Sequence, residues 1–148
     1  MLATQFLFQR DFNQNEFESA LQRFWQENDT TDNIRRFADQ LIRGVEEHRS
    51  EIDSRLQGYA QNWQVSRMGA VDRNVMRIAL YEMFHCLDIP PVVSINEAVD
   101  IAKEFSSIQS GHFVNGILDR AKSDLDRPLR TAKPVNLNEH WESKSNDD

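Results

Sequence analysis

Apolar residues recur at helical spacing along most of this chain, and no stretch alternates cleanly for long. That period marks helices that each bury one face. Seven segments carry it. The first covers about residues 2–12. Leu2, Ala3, Phe6 and Leu7 form one stripe, and Phe8 and Phe12 project from the other side, one turn apart. The second, about 16–28, uses Phe17, Ala20, Leu21 and Phe24. The third, about 31–48, is the cleanest, with Ile34, Phe37, Ala38, Leu41, Ile42 and Val45 inward. The fourth, about 51–63, carries Ile52, Leu56, Tyr59 and Trp63, with Ser50 as its expected N-cap.

The segment "VSRMGAVDRN" joins two halves and leads into a fifth helix, about 70–86. There "VMRIALYEMFHCL" is apolar almost all round, which predicts a central helix packed on several sides. Pro90 and Pro91 close the next loop. The sixth helix is expected to begin at "SINE", where Ser94 and Glu97 have capping-box spacing. Ile95, Ala98, Val99, Ala102 and Phe105 then face inward. Ser110 is the expected cap of a seventh helix with Val114, Ile117, Leu118, Ala121 and Leu125 inward. From Arg127 the periodicity stops. The expectation is one all-α domain over residues 1–126 and a mobile polar tail over 127–148, with Trp141 a weak candidate for docking.

Charge and composition narrow the function. The 148 residues suit one compact domain, and their formal net charge of −7 argues against coating nucleic acid by bulk electrostatics. A local RNA site stays open, given a partner or a small basic patch. No run approaches the roughly 18 apolar residues of a membrane span. The opening has no basic start, and Gln5, Gln9 and Arg10 interrupt any signal-like apolar core. A cytoplasmic location is expected. The single Cys86 excludes an intrachain disulfide and reads as a buried, reduced thiol.

Catalytic patterns are missing. His48, His85, His112 and His140 stand in no metal-binding motif. His85 and Cys86 are adjacent on a helix, so their side chains diverge by about 100° instead of pairing. Gly69, Gly111 and Gly116 are isolated and form no phosphate loop. No enzyme, cofactor or metal is expected. Binding features are better represented. Phe8 and Phe12 lie off the core stripe. Phe113 lies at the start of the last helix, where stacking on bases can combine with backbone N–H contacts to phosphate. From the residues alone, burial of these rings against neighbouring helices is the stronger reading, because phenylalanine is usually buried.

Three stretches shift that balance. "DRNVMRIALYEM", "IPPVVSINEAVDIAKEF" and "HFVNGILDRA" occur in order with short spacings. Together they resemble the C-terminal half of the NusB family of transcription antitermination factors. Upstream, "ATQFLFQ" resembles the family's first helix, and "FADQLIRGVEEHRSEID" its third helix and the start of its fourth. The resemblance spans about residues 3–125. It implies two small helical bundles packed together. It also implies pairing with NusE, a protein of the small ribosomal subunit, binding to boxA RNA of ribosomal RNA operons, and action within the RNA polymerase antitermination complex.

Carried over by position, Phe8 and Phe113 match aromatics of the RNA-binding surface, and Gln109 and Ser110 match RNA-side positions. Arg10, the basic residue nearest that helix's start, is grouped with them as an expected RNA-side residue. Asp72 and Arg73 match an acidic-basic pair associated with the NusE face. Asn96 and Asn115 match the motifs too, and read better as serving the loop backbone than a ligand. One departure stands at the front. The family carries an arginine-rich segment before the first helix, whereas only Met1 and Leu2 precede "ATQFLFQ" here. Either the basic arm is lost, or the true start lies upstream. The alternative reading is therefore a protein-interaction module, a homodimer or NusE binder, with weak or lost RNA binding. A relation to the NusB-like domain fused to ribosomal RNA methyltransferases is a third reading, and it places no catalysis within these residues.

Overall fold

A computed structural model of the chain describes residues 1–13 and 15–131. The expected tail from residue 132 onward, with Trp141, lies outside the described residues. Seven α-helices and two 3-10 turns account for the regular structure there, with no strand among the described residues. They are α1 (Leu2–Phe12), α2 (Phe17–Glu27), α3 (Asp32–Glu47), α4 (Arg49–Tyr59), α5 (Ala70–His85), α6 (Pro91–Phe105) and α7 (Ile108–Ala121). The 3-10 turns are Val65–Arg67 and Lys122–Asp124. None of these helices is long and apolar enough to cross a membrane.

The first bundle comprises α1, α2 and α3. Phe6 meets Phe24 edge-on at 5.3 Å between ring centroids, and Phe17 at 6.0 Å. The Trp25 indole N–H donates to Asp39 at 3.0 Å, which joins α2 to α3. The second bundle comprises α4 to α7. As its all-round apolar pattern predicts, α5 is the shared core helix: it packs on α1, α3, α4, α6 and α7. Val75, Met76, Leu80 and Met83 are at most 2 % exposed.

Helix starts correct three sequence expectations. α6 begins a turn earlier than "SINE", with Pro91 in its first turn. Proline suits that place because its fixed φ is helical and the first N–H groups lack intrahelical partners anyway. Ser94 is thus interior to α6 and buried, with its hydroxyl near the Glu82 carboxyl and away from the helix start. The cap of α7 is Ser107, whose Oγ accepts from Ser110 N at 3.0 Å. α4 starts at Arg49 from His48, not from Ser50.

Three expected core residues are half exposed instead: Ile34, Phe37 and Phe105. Trp63 lies beyond the end of α4 and is also exposed. Ile34, Phe105 and Trp63 sit at or beyond helix termini, where a stripe can outrun its neighbouring helix, whereas Phe37 lines an open cleft.

The domain edge expected at residue 126 falls just before Arg127. Its Nη1 donates to the carbonyls of Met83 at 2.9 Å and Cys86 at 3.2 Å. Its Nη2 donates to the Leu87 carbonyl at 3.2 Å and also to that of Ile89. These oxygens lie at and beyond the end of α5, where helical N–H partners run out, and the guanidinium supplies donors to them; the Cys86 carbonyl also accepts from Ile89 N at 3.1 Å.

Candidate nucleic-acid and partner interface

The start of α5 lies between α1 and the start of α7, and this places the candidate residues. On the α1 side, Phe8 and Phe12 lie 5.2 Å apart at 57°. Phe8 is 37 % exposed and Phe12 is 72 % exposed. Phe8 borders a shallow apolar cleft of about 220 Å³ shared with Val71 and Phe105. On the α7 side, Phe113 is half-buried against the core, and Trp63 meets it edge-on at 5.5 Å. Trp63 is 59 % exposed, so this pair offers one ring to solvent and one as support. Sequence reasoning placed Trp63 in the α4 stripe. Its position just past a weakening helix pattern was the available signal.

Asp72 bridges the two sides. It is half-buried, its Oδ1 has no hydrogen-bond partner, and burial holds its carboxyl above the usual carboxylate range, with the nearby Ser110 hydroxyl working against that. Ser110 also exchanges hydroxyl contacts with Ser106 at 2.8 Å and Ser107 at 3.2 Å. Gln109 is exposed on the first turn of α7. Asp72 and Ser110 thus meet across the starts of α5 and α7, and Phe8 reaches the start of α5 at Val71.

The two arginines behave differently. Arg10 is 12 % exposed at its side chain, bonds Glu46 at 3.4 Å and the Asn15 carbonyl, and lies over the Phe17 ring at 5.3 Å. It joins α1 to the neighbouring elements of its bundle. Arg73 is 11 % exposed at its side chain and binds Asp11 Oδ2 through Nη2 at 2.8 Å and Nε at 3.1 Å. Its Nη1 donates to the carbonyls of Val65 at 3.2 Å and Met68 at 2.8 Å. The Asp72–Arg73 pair thus parts: one side chain borders the surface and the other locks α1, the 3-10 turn and α5 together. Asn96 and Asn115 are both exposed, and Asn96 falls in the second turn of α6 because that helix starts earlier than expected.

A second concave surface adjoins the Phe8 cleft, sharing Met1, Thr4 and Ile101 with it. A cleft of about 310 Å³ is lined by Met1, Phe37, Ile78, Val93 and Glu82 among others. Phe37 and Val93 are half exposed there. Glu82 is buried at its floor, and burial together with the Glu97 and Asp88 charges holds its carboxyl above the usual range. A mainly apolar cleft with two acidic groups, Glu82 and Glu97, suits a protein side chain better than a nucleotide.

These features define an all-α double bundle with two candidate surfaces, one aromatic and one apolar with an acidic floor. The NusB family profile matches residues 1–123, and the chain belongs to the NusB family. It is 42 % identical over 120 residues to the transcription antitermination protein NusB of Thermodesulfovibrio yellowstonii, covering 79 % of this chain and 80 % of that protein. To the NusB protein of Geobacter sulfurreducens it is 43 % identical over 125 residues, covering 84 % and 91 %. Among solved structures, T. maritima NusB superposes with a TM-score of 0.77 at 37 % identity, covering 85 % of this chain and 89 % of that one. A crystal structure of antitermination factors NusB and NusE in complex with dsRNA has the same fold, with a TM-score of 0.75 at 23 % identity, covering 83 % and 92 %.

Proposed function

We propose that this chain is a transcription antitermination factor that binds boxA RNA together with NusE, acting by association alone, without catalysis, in the cytoplasm. Family membership supports the class. The observation that carries the RNA assignment is the solvent-facing Trp63 ring braced on Phe113, across the start of α5 from Phe8 and Phe12. Rings held this way stack on unpaired bases without sequence preference. Sequence preference then falls to polar groups between them, here Asp72, Gln109 and Ser110. Arg10 and Arg73 are proposed as scaffold and not as phosphate ligands, since both face carboxylates within the domain. The Glu82 cleft is proposed for the protein partner; Asp72 does not line it and stands instead beside Ser110.

The test is fluorescence anisotropy of a labelled boxA RNA with the purified chain, with and without NusE. The expected result is boxA preference over scrambled RNA in the presence of NusE. Phe113→Ala and Trp63→Ala each weaken binding by about 1–3 kcal/mol, or roughly 5- to 150-fold. No preference over scrambled RNA would overturn the assignment.

A second reading keeps the partner and drops the RNA. The net charge of −7 and the carboxylate of Asp72 amid the aromatic surface favour it. It gives NusE binding that Glu82→Lys abolishes, with no added boxA affinity.

A further inference from the structure

Three donor atoms that no linear motif connects meet at the junction of α3, α4 and the end of α5. His48 is the single residue between α3 and α4. Glu51 lies in the first turn of α4, and His85 is the last residue of α5. Glu51 Oε1 is 3.5 Å from His48 Nδ1 and 3.1 Å from His85 Nε2. All three ligand atoms lie within 4.8 Å of one another. The other carboxylate oxygen, Oε2, is occupied by Arg55 Nε at 3.2 Å, which leaves Oε1 aimed at the imidazoles.

Zinc-class ions hold imidazole nitrogen and carboxylate oxygen at about 2.0–2.2 Å, so tetrahedral neighbours stand about 3.3–3.5 Å apart. Glu51 Oε1 already stands near that distance from both nitrogens. The remaining edge has to form by ring rotation. The two imidazoles are stacked, 4.1 Å between centroids and 23° between planes. A nitrogen lone pair lies in the plane of its ring, so a shared ion requires the rings to turn out of the stack toward Glu51. Both side chains are partly exposed, at 33 % and 28 %, which leaves solvent-side room for that turn. His85 also lies at the C-terminal end of α5, where the helix dipole favours a cation. The opposing local charges are Arg55 and Arg49, the latter being drawn toward Glu46, Asp53 and Asp11.

We propose that His48, Glu51 and His85 form a binding site for a divalent transition-metal ion of the zinc class, completed by water. Two imidazoles and one carboxylate suit Zn²⁺ and Co²⁺ and are poor ligands for Mg²⁺, which prefers an all-oxygen shell. Binding ties the α3–α4 elbow to the end of α5, the same end that Arg127 braces.

The test titrates the chelator-treated full chain with Co²⁺, followed by its visible d–d absorption, and with Zn²⁺ by calorimetry. Cys86 is the competing soft ligand, so Cys86→Ser is run in parallel. One equivalent is expected to bind, unchanged in Cys86→Ser and weakened roughly tenfold or more in His85→Gln and in Glu51→Gln. Zn²⁺ is expected to move the His48 and His85 imidazole resonances in the NMR spectrum while the His112 resonance stays put. No stoichiometric binding, binding that survives His85→Gln, or binding lost with Cys86→Ser would each overturn the proposal. Far-UV circular dichroism on every variant separates ligand loss from unfolding.

Discussion

Replacing Asp11 by Asn keeps the side chain's shape and removes its charge. Asp11 lies in the last turn of α1 and faces α5 with its side chain 8 % exposed. Oδ2 accepts from Arg73 at 2.8 and 3.1 Å and from Asn74 at 2.8 Å. Oδ1 accepts from Arg77 at 3.2 Å and lies 3.5 Å from Arg49. Burial alone would push this carboxyl up. The hydrogen bonds from Arg73 and Asn74 and the charges of Arg77 and Arg73 outweigh it and leave the group below the usual carboxylate range. In Asp11→Asn, either amide orientation points an NH₂ at donors: Arg73 and Asn74 on one side, Arg77 and Arg49 on the other.

Removing one partner of a buried ion pair costs about 3–5 kcal/mol. Arg77 keeps Asp53 at 2.8 and 3.0 Å, and Arg73 keeps its carbonyl acceptors. The expected loss is therefore at the low end, about 3 kcal/mol. In urea unfolding followed by far-UV circular dichroism, that lowers the midpoint by about 1–2 M. The pH dependence has a definite sign. A carboxyl depressed in the folded state stabilises fully above its unfolded value, near 3.8, and loses that stabilisation as pH falls through its folded value. The gap between wild type and Asp11→Asn should thus hold from pH 7 to about pH 4 and close only in stronger acid. A loss under about 1 kcal/mol at pH 7, with an unchanged denaturant slope, would refute this account of the cluster.

Three further outcomes are expected. Ser107→Ala should destabilise the fold by about 1 kcal/mol through loss of the α7 cap, whereas Ser94→Ala removes no cap and should cost less; paired urea melts compare them. Glu82→Gln should stabilise the chain at pH 7, since its carboxyl is held above the usual range by burial. That gain should shrink as pH falls toward the unfolded value of 4.5, and a pH-independent gain would contradict it. Cys86, with burial and the Glu82 and Asp88 charges pushing its thiol up to about 11 from an ordinary 9.0, should alkylate with iodoacetamide about a hundred-fold more slowly than an exposed thiol at pH 8.

The amino-acid pattern alone determined the helices and the central place of α5. It did so because helix period and turn residues are properties of neighbouring positions. The bounds of α1 and the span of α5 were legible to within a residue. The same locality misled it at Ser94. A capping-box spacing is also compatible with a helix already under way, and Pro91 decides between them only through the geometry of the preceding loop.

Tertiary structure decided which side chains meet. Asp11 and Arg73 are 62 positions apart, and no local rule signals that Arg73 will be spent on a carboxylate instead of a partner. Ile34, Phe37 and Phe105 obey the apolar stripe yet stay half exposed, because burial needs a facing helix and not only a periodic pattern. Trp63 gains its place beside Phe113 from the packing of α4 against α7. His85, 34 positions from Glu51, becomes its neighbour only where α5 ends beside the α3–α4 elbow. Periodicity is a one-dimensional signal and specifies faces. Contact between faces is settled by how those faces pack, and the binding surfaces are made of such contacts.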